Sequence, residues 1–402
     1  MKSRHLILTL CAAALSAVML TGCGSTDRQN SDSTISSYGS STTEEANDMD
    51  TETVYKATEE NVKLLGRTYF DIDRLYCALS GTGFEFTFTG TKCTIAVVGD
   101  SNSASEAMAD SHARVGIYVN GERVVDDMVD HNEELYTVFE SDEPREVTVT
   151  FVKLSESPHS TIAVTDINVT GTPIKPTSDK DKLIEFIGDS ITCGYGADDP
   201  DKSHTFSTKT EDVTKAFAYK TAQALDADYS MVSFSGYGII SGYSDGEKKV
   251  TQQALPKYYT KLGYSWSPNG LFAPSDIEWD FSKRQPDVIV INLGTNDDSY
   301  TQNHKDRQEE YGAAYTEFLK KVRAKNPDAK IVCALGVMGD RLFPYIERAV
   351  ENYTAETGDS NVSTFKFDVQ QAADGYSADW HPSITTHDKA AAKLAEYLKT
   401  LL

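Results

Sequence analysis

The sequence predicts two consecutive folded parts, an all-β part followed by an α/β part built on a parallel sheet. Between about 59 and 172, apolar and polar residues alternate with period two in several short runs. From about 180 to 402, short apolar runs alternate with amphipathic helical patterns. Period-two alternation is typical of strands with one buried face, whereas buried strands between helices are typical of a parallel sheet covered on both sides.

The alternation in the first part predicts half-buried strands at 84–88, 115–119 and 147–152. Asn120-Gly121 separates two runs of this kind and predicts a tight hairpin, because both residues tolerate a positive φ. The apolar residues of 162–169 predict the last strand. Several short strands with turn signals, and no long helical stripe, indicate a β sandwich or jelly roll over residues 59–172.

The second part contains five apolar runs that predict buried strands, and they lie at 183–187, 231–234, 288–293, 331–335 and 365–369. Helical patterns lie between these runs and after the last one, so we expect helices on both faces of one sheet. In such sheets ligands bind beyond the carboxyl ends of the strands. Residues 171–182 carry two prolines and several charges, which predicts a linker between the two parts.

The first 58 residues predict export and anchoring rather than a folded domain. Lys2 and Arg4 precede a short apolar run at 6–20, which is typical of a secretory signal. The run ends in Leu-Thr-Gly before Cys23, and this pattern resembles a bacterial lipoprotein box. The resemblance implies cleavage before Cys23 and lipid on its thiol; the alternative is an ordinary signal peptide with an incidental cysteine. Residues 24–58 are mostly polar and predict a disordered tether.

Composition narrows the classes of partner and cofactor. The 402 residues carry a formal net charge of −23, which argues against nucleic acid and leaves the lipid anchor as the expected contact with the membrane. We therefore expect an extracytoplasmic protein on the outer face of the cell membrane. The histidines lack metal-ligand spacing, and no phosphate-binding glycine loop follows a strand, so no metal or cofactor is predicted. Cys77 and Cys93 could pair or remain free thiols.

Three blocks of the second part supply the groups that acyl transfer requires. Ser190 follows the first strand in GDS, where its hydroxyl would face solvent as a nucleophile. His381, in DWHP, would be the general base and acid. The Asn296 side chain and the N–H groups of Gly236 and Ser190 would form an oxyanion hole. Ser190 could instead be a helix cap and the glycine a plain turn, and Gly238 is an alternative to Gly236 as donor.

These blocks, in this order, resemble the SGNH (GDSL-type) hydrolase superfamily over about 180–402. The wording GDSITCGYG at 188–196 and DWHPS at 379–383 is similar to carbohydrate esterase family 2, in which a β jelly roll precedes the hydrolase domain. The resemblance implies a three-layer, flavodoxin-like SGNH domain. It also implies a serine esterase that removes O-acetyl groups from plant cell-wall polysaccharides such as xylan and glucomannan, or from oligosaccharides derived from them.

One position departs from the superfamily pattern. The acid that orients the histidine usually lies three residues before it, and Ala378 occupies that position here. Some members of the esterase family resemble this arrangement and work with a Ser–His dyad, so we expect Asp379 not to be a full triad member. Trp380 could stack on a sugar ring or lie in the core under the loop. Trp266 and Trp279, in the insertion before 288, are candidates for shaping a substrate cleft.

Two other functions remain open at this point. The first is a different SGNH acyl enzyme, namely a lipase, a thioesterase or an O-acetyltransferase of envelope glycans; no apolar lid of the kind a lipase needs is evident. The second is a non-catalytic glycan-binding surface lipoprotein with a decayed hydrolase domain. Intact Ser190, Asn296 and His381 argue against decay. The β part could form a cleft rim, bind polymer or act as a spacer.

Overall fold

The computed structural model describes residues 51–267 and 272–402. The expected signal peptide, Cys23 and nearly all of the tether therefore lie outside the described residues. Within the described ranges, no helix combines the length and the apolar character needed to cross a membrane.

The strands of the β part pair in one antiparallel sheet of ten strands. They are β1 (Glu52–Tyr55), β2 (Lys63–Leu65), β3 (Thr68–Asp71), β4 (Arg74–Cys77), β5 (Gly83–Val98), β6 (Ala113–Val119), β7 (Glu122–Val129), β8 (Glu133–Lys153), β9 (Ile162–Gly171) and β10 (Lys175–Pro176). The main path is β3-β4-β9-β5-β8-β6-β7, with β1 on β9 and with β2 and β10 on β5.

The long strands β5 and β8 pair with each other along most of their length, with register shifts at Gly90/Lys92 and Cys93/Thr94. The first half of β5 pairs with β2 and β10, and from Gly90 onward it pairs with β9. Phe84, Phe86 and Phe88 point into the core, as their alternation predicts. The β6–β7 hairpin turns at Asn120-Gly121, both with positive φ, which also confirms the sequence prediction. The β-rich first part of the predicted fold is therefore confirmed.

The second part has a parallel sheet of five strands in the order β12-β11-β13-β14-β15. The strands are β11 (Leu183–Gly188), β12 (Asp228–Ser233), β13 (Val288–Asn292), β14 (Lys330–Val337) and β15 (Val362–Val369). The helices are α1 (Ser190–Cys193), α2 (Phe217–Ala224), α3 (Thr295–Thr301), α4 (Lys305–Lys325), α5 (Phe343–Thr357) and α6 (Ile384–Leu398). This order, in which the second strand lies outside the first, is the flavodoxin-like one.

Helices cover both faces of the parallel sheet, as predicted. On one face, α4 and α5 pack Tyr311 and Ile346 against Ile289 and the neighbouring strands. On the other face, α2 and α6 bury Phe217 and Leu394 in a second core. Alternate side chains of each strand point into the cores on opposite faces of the sheet. Each strand therefore appears in the sequence as a continuous apolar run.

The β part and the α/β part share a buried, charged junction. The guanidinium of Arg67, between β2 and β3, donates to both carboxylate oxygens of Glu185 on β11, at 3.0 and 3.1 Å. Lys63 pairs with Asp228 at 2.6 Å. The predicted linker at 171–182 contains β10, which joins the β sheet through β5. Although the segment contains two prolines, the backbone of Lys175 and Pro176 is extended. It can therefore pair with β5 as a short edge strand.

Cys77, Cys93, Cys193 and Cys333 are free, buried thiols. The pairing of Cys77 with Cys93 that the sequence left open is therefore not formed. Burial raises the pKa of the Cys77 and Cys93 thiols to about 12, so both stay protonated and act as small apolar side chains.

Candidate active site

Ser190 lies at the carboxyl edge of the parallel sheet, where β11 turns into the short helix α1. Asp189 caps this helix, because its Oδ1 accepts the N–H of Ile191 at 3.1 Å. Ser190 is thus the first residue of α1, at the end of a helix where N–H groups are left without intrahelical acceptors. Ser190 is only 5% exposed, and its hydroxyl faces the loop that carries His381.

The imidazole of His381 is in hydrogen-bond contact with Ser190. Its Nε2 lies 2.8 Å from Ser190 Oγ, and its Nδ1 lies 3.1 Å from the backbone oxygen of Ala378. Because a carbonyl oxygen can only accept, Nδ1 carries the proton and Nε2 presents its lone pair to the serine hydroxyl. Burial lowers the pKa of His381 to about 4, so the imidazole is neutral near pH 7 and able to accept a proton.

Asp379 is turned away from His381 and binds a different residue. Its Oδ2 accepts a hydrogen bond from the hydroxyl of Tyr195. Asp379 has a φ of 51° and Trp380 a φ of 63°, and this left-handed turn rotates both side chains outward. The structure therefore brings together Ser190 and His381 but leaves Asp379 out of direct contact with the imidazole.

Tyr195 is a site residue that the sequence analysis missed. Its ring lies against the imidazole of His381 with centroids 3.8 Å apart and planes 18° from parallel. Tyr195 belongs to the block at 188–196 and comes shortly after Ser190, so its position was visible in the sequence. Its role was not, because the stacking depends on the fold of the loop that follows α1.

Ala378 is fully buried and packs closely against Gly196. Gly196 has a φ of 60°, and a Cβ added to it would lie 2.8 Å from Ala378 Cβ. The loop after α1 therefore packs directly on the turn Ala378–Trp380. The position that holds the acid in the superfamily is thus a small, buried alanine, and its backbone oxygen orients His381.

Three candidate oxyanion donors lie at the carboxyl edge of the parallel sheet: Asn296, Gly236 and the backbone amide of Ser190. Asn296 is buried at the start of α3, and its Nδ2 donates to the Tyr237 oxygen at 2.9 Å and, over a longer distance of 3.4 Å, to Asp189 Oδ2. The Gly238 N–H donates to the Gln253 oxygen at 3.1 Å, whereas the Gly236 N–H has no hydrogen bond to a described residue. A backbone N–H without a partner is free to bind an oxyanion, so this difference favours Gly236 over Gly238. Gly236 also has a φ of 80°, which suits glycine.

Asp297 holds the segment that follows β12, which we call the oxyanion loop (residues 234–243). Its Oδ2 accepts the N–H of Ile239 at 2.8 Å, and its Oδ1 accepts those of Ile240 and Ser241 at 2.7 and 3.0 Å. Burial raises the pKa of Asp297 to about 6, and these three donors act in the opposite direction. The sequence analysis assigned a role to Asn296 alone in the block at 294–297 and did not identify Asp297.

The three tryptophans occupy different surroundings. Trp380 is 53% exposed beside His381, with the Lys202 ammonium 3.9 Å from its ring centroid, so it is not the core residue that the alternative interpretation expected. Trp266 is also 53% exposed and packs edge-on against His159. Trp279 instead packs against Arg67 at the junction of the two parts.

His387 serves a helix rather than the site. It is buried in α6, and its Nδ1 accepts the N–H of Phe217, the first residue of α2, at 3.1 Å. The cap of its own helix is Ser383, whose hydroxyl accepts the Thr386 N–H. His387 therefore caps the neighbouring helix α2 and not its own helix.

Two groups among the described residues place three potential metal ligands close together. Asp130, His131 and Glu134 lie on the surface of the β part, and Glu156, Cys193 and Glu211 are buried near the oxyanion loop. Neither group contains Ser190 or His381.

Comparison with protein families and known proteins gives a consistent picture. Residues 186–389 match the family described as GDSL-like lipase/acylhydrolase. Residues 64–177 match the domain described as carbohydrate esterase 2 N-terminal. The first family match spans half of the chain, and the two matches follow each other in the order that the sequence analysis expected.

Several known proteins are similar over most of this chain. Cellulase/esterase CelE of Acetivibrio thermocellus is 31% identical over 81% of the chain, although the chain spans only 38% of CelE. An acetylxylan esterase/glucomannan deacetylase of Cellvibrio japonicus is 24% identical over 86% of the chain and 90% of its own length. The structure of a family two carbohydrate esterase from Clostridium thermocellum in complex with cellohexaose superposes with a TM-score of 0.72, at 26% identity, over 84% of this chain and 98% of that one.

Proposed function

The chain belongs to the GDSL-like lipase/acylhydrolase family, and we propose that it is a serine esterase that removes O-acetyl groups from plant cell-wall polysaccharides such as xylan and glucomannan, or from oligosaccharides derived from them. The observation that carries this proposal is the 2.8 Å contact between Ser190 Oγ and His381 Nε2 at the carboxyl edge of the sheet. The relatives named as acetylxylan esterase and glucomannan deacetylase support the substrate class.

In the first half of the proposed reaction, Ser190 Oγ attacks the carbonyl carbon of the acetyl group, and its proton passes to His381 Nε2. The carbonyl oxygen becomes an oxyanion, and the N–H groups of Ser190 and Gly236 and the Asn296 amide bind it. When the intermediate collapses, the bond from the acetyl carbon to the sugar oxygen breaks. His381 returns its proton to that oxygen, and the sugar hydroxyl leaves while the acetyl group stays on Ser190.

The second half repeats these steps with water. His381 removes a proton from the water as it attacks the acetyl carbon, the same donors bind the oxyanion, and acetate leaves as Ser190 recovers its proton. In both halves the imidazolium is oriented by the Ala378 oxygen, and the face of the Tyr195 ring lies against it. A cation beside an aromatic face is stabilised by roughly 1 kcal/mol, so Tyr195 supplies part of what a carboxylate would supply.

The surroundings of the site suit a carbohydrate. Trp380 is exposed directly beside His381, and an aromatic face of this kind packs against the apolar face of a pyranose. We therefore assign Trp380 to substrate binding, and Ser190 and His381 to the chemical step.

The decisive experiment measures acetate released from acetylated xylan, acetylated glucomannan and an aryl acetate. Ser190→Ala and His381→Ala should each lower kcat by at least about 10⁴-fold on all three, whereas the exposed Ser282→Ala should be unaffected. Trp380→Ala should lose activity on the polymers and keep it on the aryl acetate. A serine-directed phosphonate should label Ser190. Wild-type protein that is inert on every ester, or labelled elsewhere, would refute the proposal.

We also propose that lipid on Cys23 holds the protein on the outer face of the cell membrane, with 24–58 as its tether. The support is the lipoprotein-box pattern at 20–23. Palmitate supplied to growing cells should label the wild-type protein, and Cys23→Ala should abolish the label. An unlabelled wild-type protein in the culture medium would contradict the anchor.

A further inference from the structure

A carboxylate of the β part reaches the oxyanion loop of the α/β part. Glu156 lies in the connection between β8 and β9, within the region that matches the carbohydrate esterase 2 N-terminal domain. It is fully buried, and its Oε2 accepts the backbone N–H of Ser235 at 2.6 Å. Ser235 is the residue immediately before Gly236. The β part is therefore in direct contact with the backbone that bears the proposed oxyanion donor.

Glu156 is itself held firmly in place. Its backbone N–H donates to Glu211 Oε2 at 2.8 Å, and its carbonyl oxygen accepts from the ammonium of Lys153 at 3.1 Å. Lys153 also donates to the Ser155 oxygen at 2.6 Å, so one buried cation organises this connection. Burial raises the pKa of both Glu156 and Glu211, and the Ser235 N–H counteracts this at Glu156.

The other hydrogen bonds near the loop tip are made within the α/β part, and the Ser235 N–H is bound by Glu156. Tyr237 donates its N–H to the Phe234 oxygen at 3.2 Å, and Tyr243 donates to the Gly236 oxygen at 2.8 Å. Asn296 donates to the Tyr237 oxygen. Gly236 permits rotation about its own backbone bonds more freely than other residues. The preceding peptide group, which bears the Ser235 N–H, must therefore be held in place if the Gly236 N–H is to point in one direction.

We propose that Glu156 is a positioning residue that aims the Gly236 N–H at the oxyanion, so that the β part completes the active site of the α/β part. The inference rests on the proposed esterase function, because it assigns a task in the same chemical step. Glu156 acts through Ser235 and touches neither substrate nor Ser190. A donor displaced by about 1 Å lowers the rate by up to about 100-fold, so removal of this contact should be seen in kcat.

The test compares Glu156→Ala, Glu156→Gln and a matched control, Glu185→Gln. Glu185 is also a buried carboxylate that joins the two parts, but it binds Arg67 at a distance from the oxyanion loop along β11. Glutamine at 156 can still present an oxygen to the Ser235 N–H, and its amide can donate to Glu211 Oε1, which has no partner among the described residues. Steady-state kinetics on an aryl acetate and thermal unfolding are measured for each full-length variant.

We expect Glu156→Ala to lower kcat by about 10- to 100-fold with KM changed less than about threefold, and Glu156→Gln to recover most of this loss. Glu185→Gln should lower the unfolding temperature while kcat, measured well below that temperature, stays at the wild-type value. Wild-type kcat in Glu156→Ala, or equal kcat losses in Glu156→Ala and Glu156→Gln, overturns the inference. If Glu156→Ala does not fold, Glu156→Gln set against Glu156→Asp, whose shorter side chain cannot reach Ser235, decides the same question. An inactive wild-type protein would instead refute the esterase proposal itself.

Discussion

At His381, a backbone oxygen occupies the place of the usual orienting acid, and Asp379 binds Tyr195 instead. We therefore expect Asp379→Ala to lower kcat/KM on an aryl acetate by less than about 10-fold, compared with about 10⁴-fold for a true triad acid. Tyr195→Phe removes the same hydrogen bond, so the double variant should lose no more than the worse single variant. A loss near 10⁴-fold in Asp379→Ala would show that the carboxylate acts on the imidazole.

The same histidine sets the expected response to acid. Burial lowers the pKa of His381 to about 4, and only the neutral imidazole can accept the Ser190 proton. As the pH falls, kcat/KM should therefore be retained through pH 5.5, where a histidine of pKa 6.5 would be about nine-tenths protonated, and should fall toward pH 4. Tryptophan fluorescence at each pH verifies that the protein is folded. An acid limb centred near 6.5 would contradict the lowered pKa.

The oxyanion loop is an element whose shape depends on one buried side chain. Asp297→Ala leaves the N–H groups of Ile239, Ile240 and Ser241 without their acceptor, and each unsatisfied buried donor costs about 1–3 kcal/mol. We expect lower stability and a kcat reduced by about 10- to 100-fold, because the loop carries Gly236. The neighbouring Asp298→Ala, which loses only a contact with Arg341, is the control and should retain its activity. Unchanged kcat in Asp297→Ala would count against this role of the loop.

Elements of this protein differ in how far their sequence predicts them. The strands of the parallel sheet are readable because each is buried on both faces, and strand ends then predict that Ser190 and Asn296 meet. The hairpin at Asn120-Gly121 follows from turn chemistry alone. Contacts that depend on the direction of the backbone cannot be predicted from such sequence patterns. The stacking of Tyr195 on His381 requires positive φ angles after Ala378, and the reach of Glu156 requires the two parts to be docked.

At the scale of the whole molecule, buried ion pairs make the two parts depend on each other. Arg67 is fully buried and bidentate to Glu185, so removal of one partner leaves an uncompensated buried charge. We expect Arg67→Ala to lower the free energy of unfolding by about 3–5 kcal/mol. Denaturant titration should give a single transition that shifts as a whole, while the surface variant Arg74→Ala changes little. Two separate transitions, with only the first moved, would contradict this interdependence.

The four buried thiols bear on how the described part of this molecule reaches its native state. Since Cys77, Cys93, Cys193 and Cys333 stay unpaired, the described part of the chain needs neither an oxidant nor a disulfide isomerase to reach its native state. Dithiothreitol should accordingly leave both the melting temperature and the rate of ester cleavage where they were. The protein can therefore acquire this fold in an environment without oxygen.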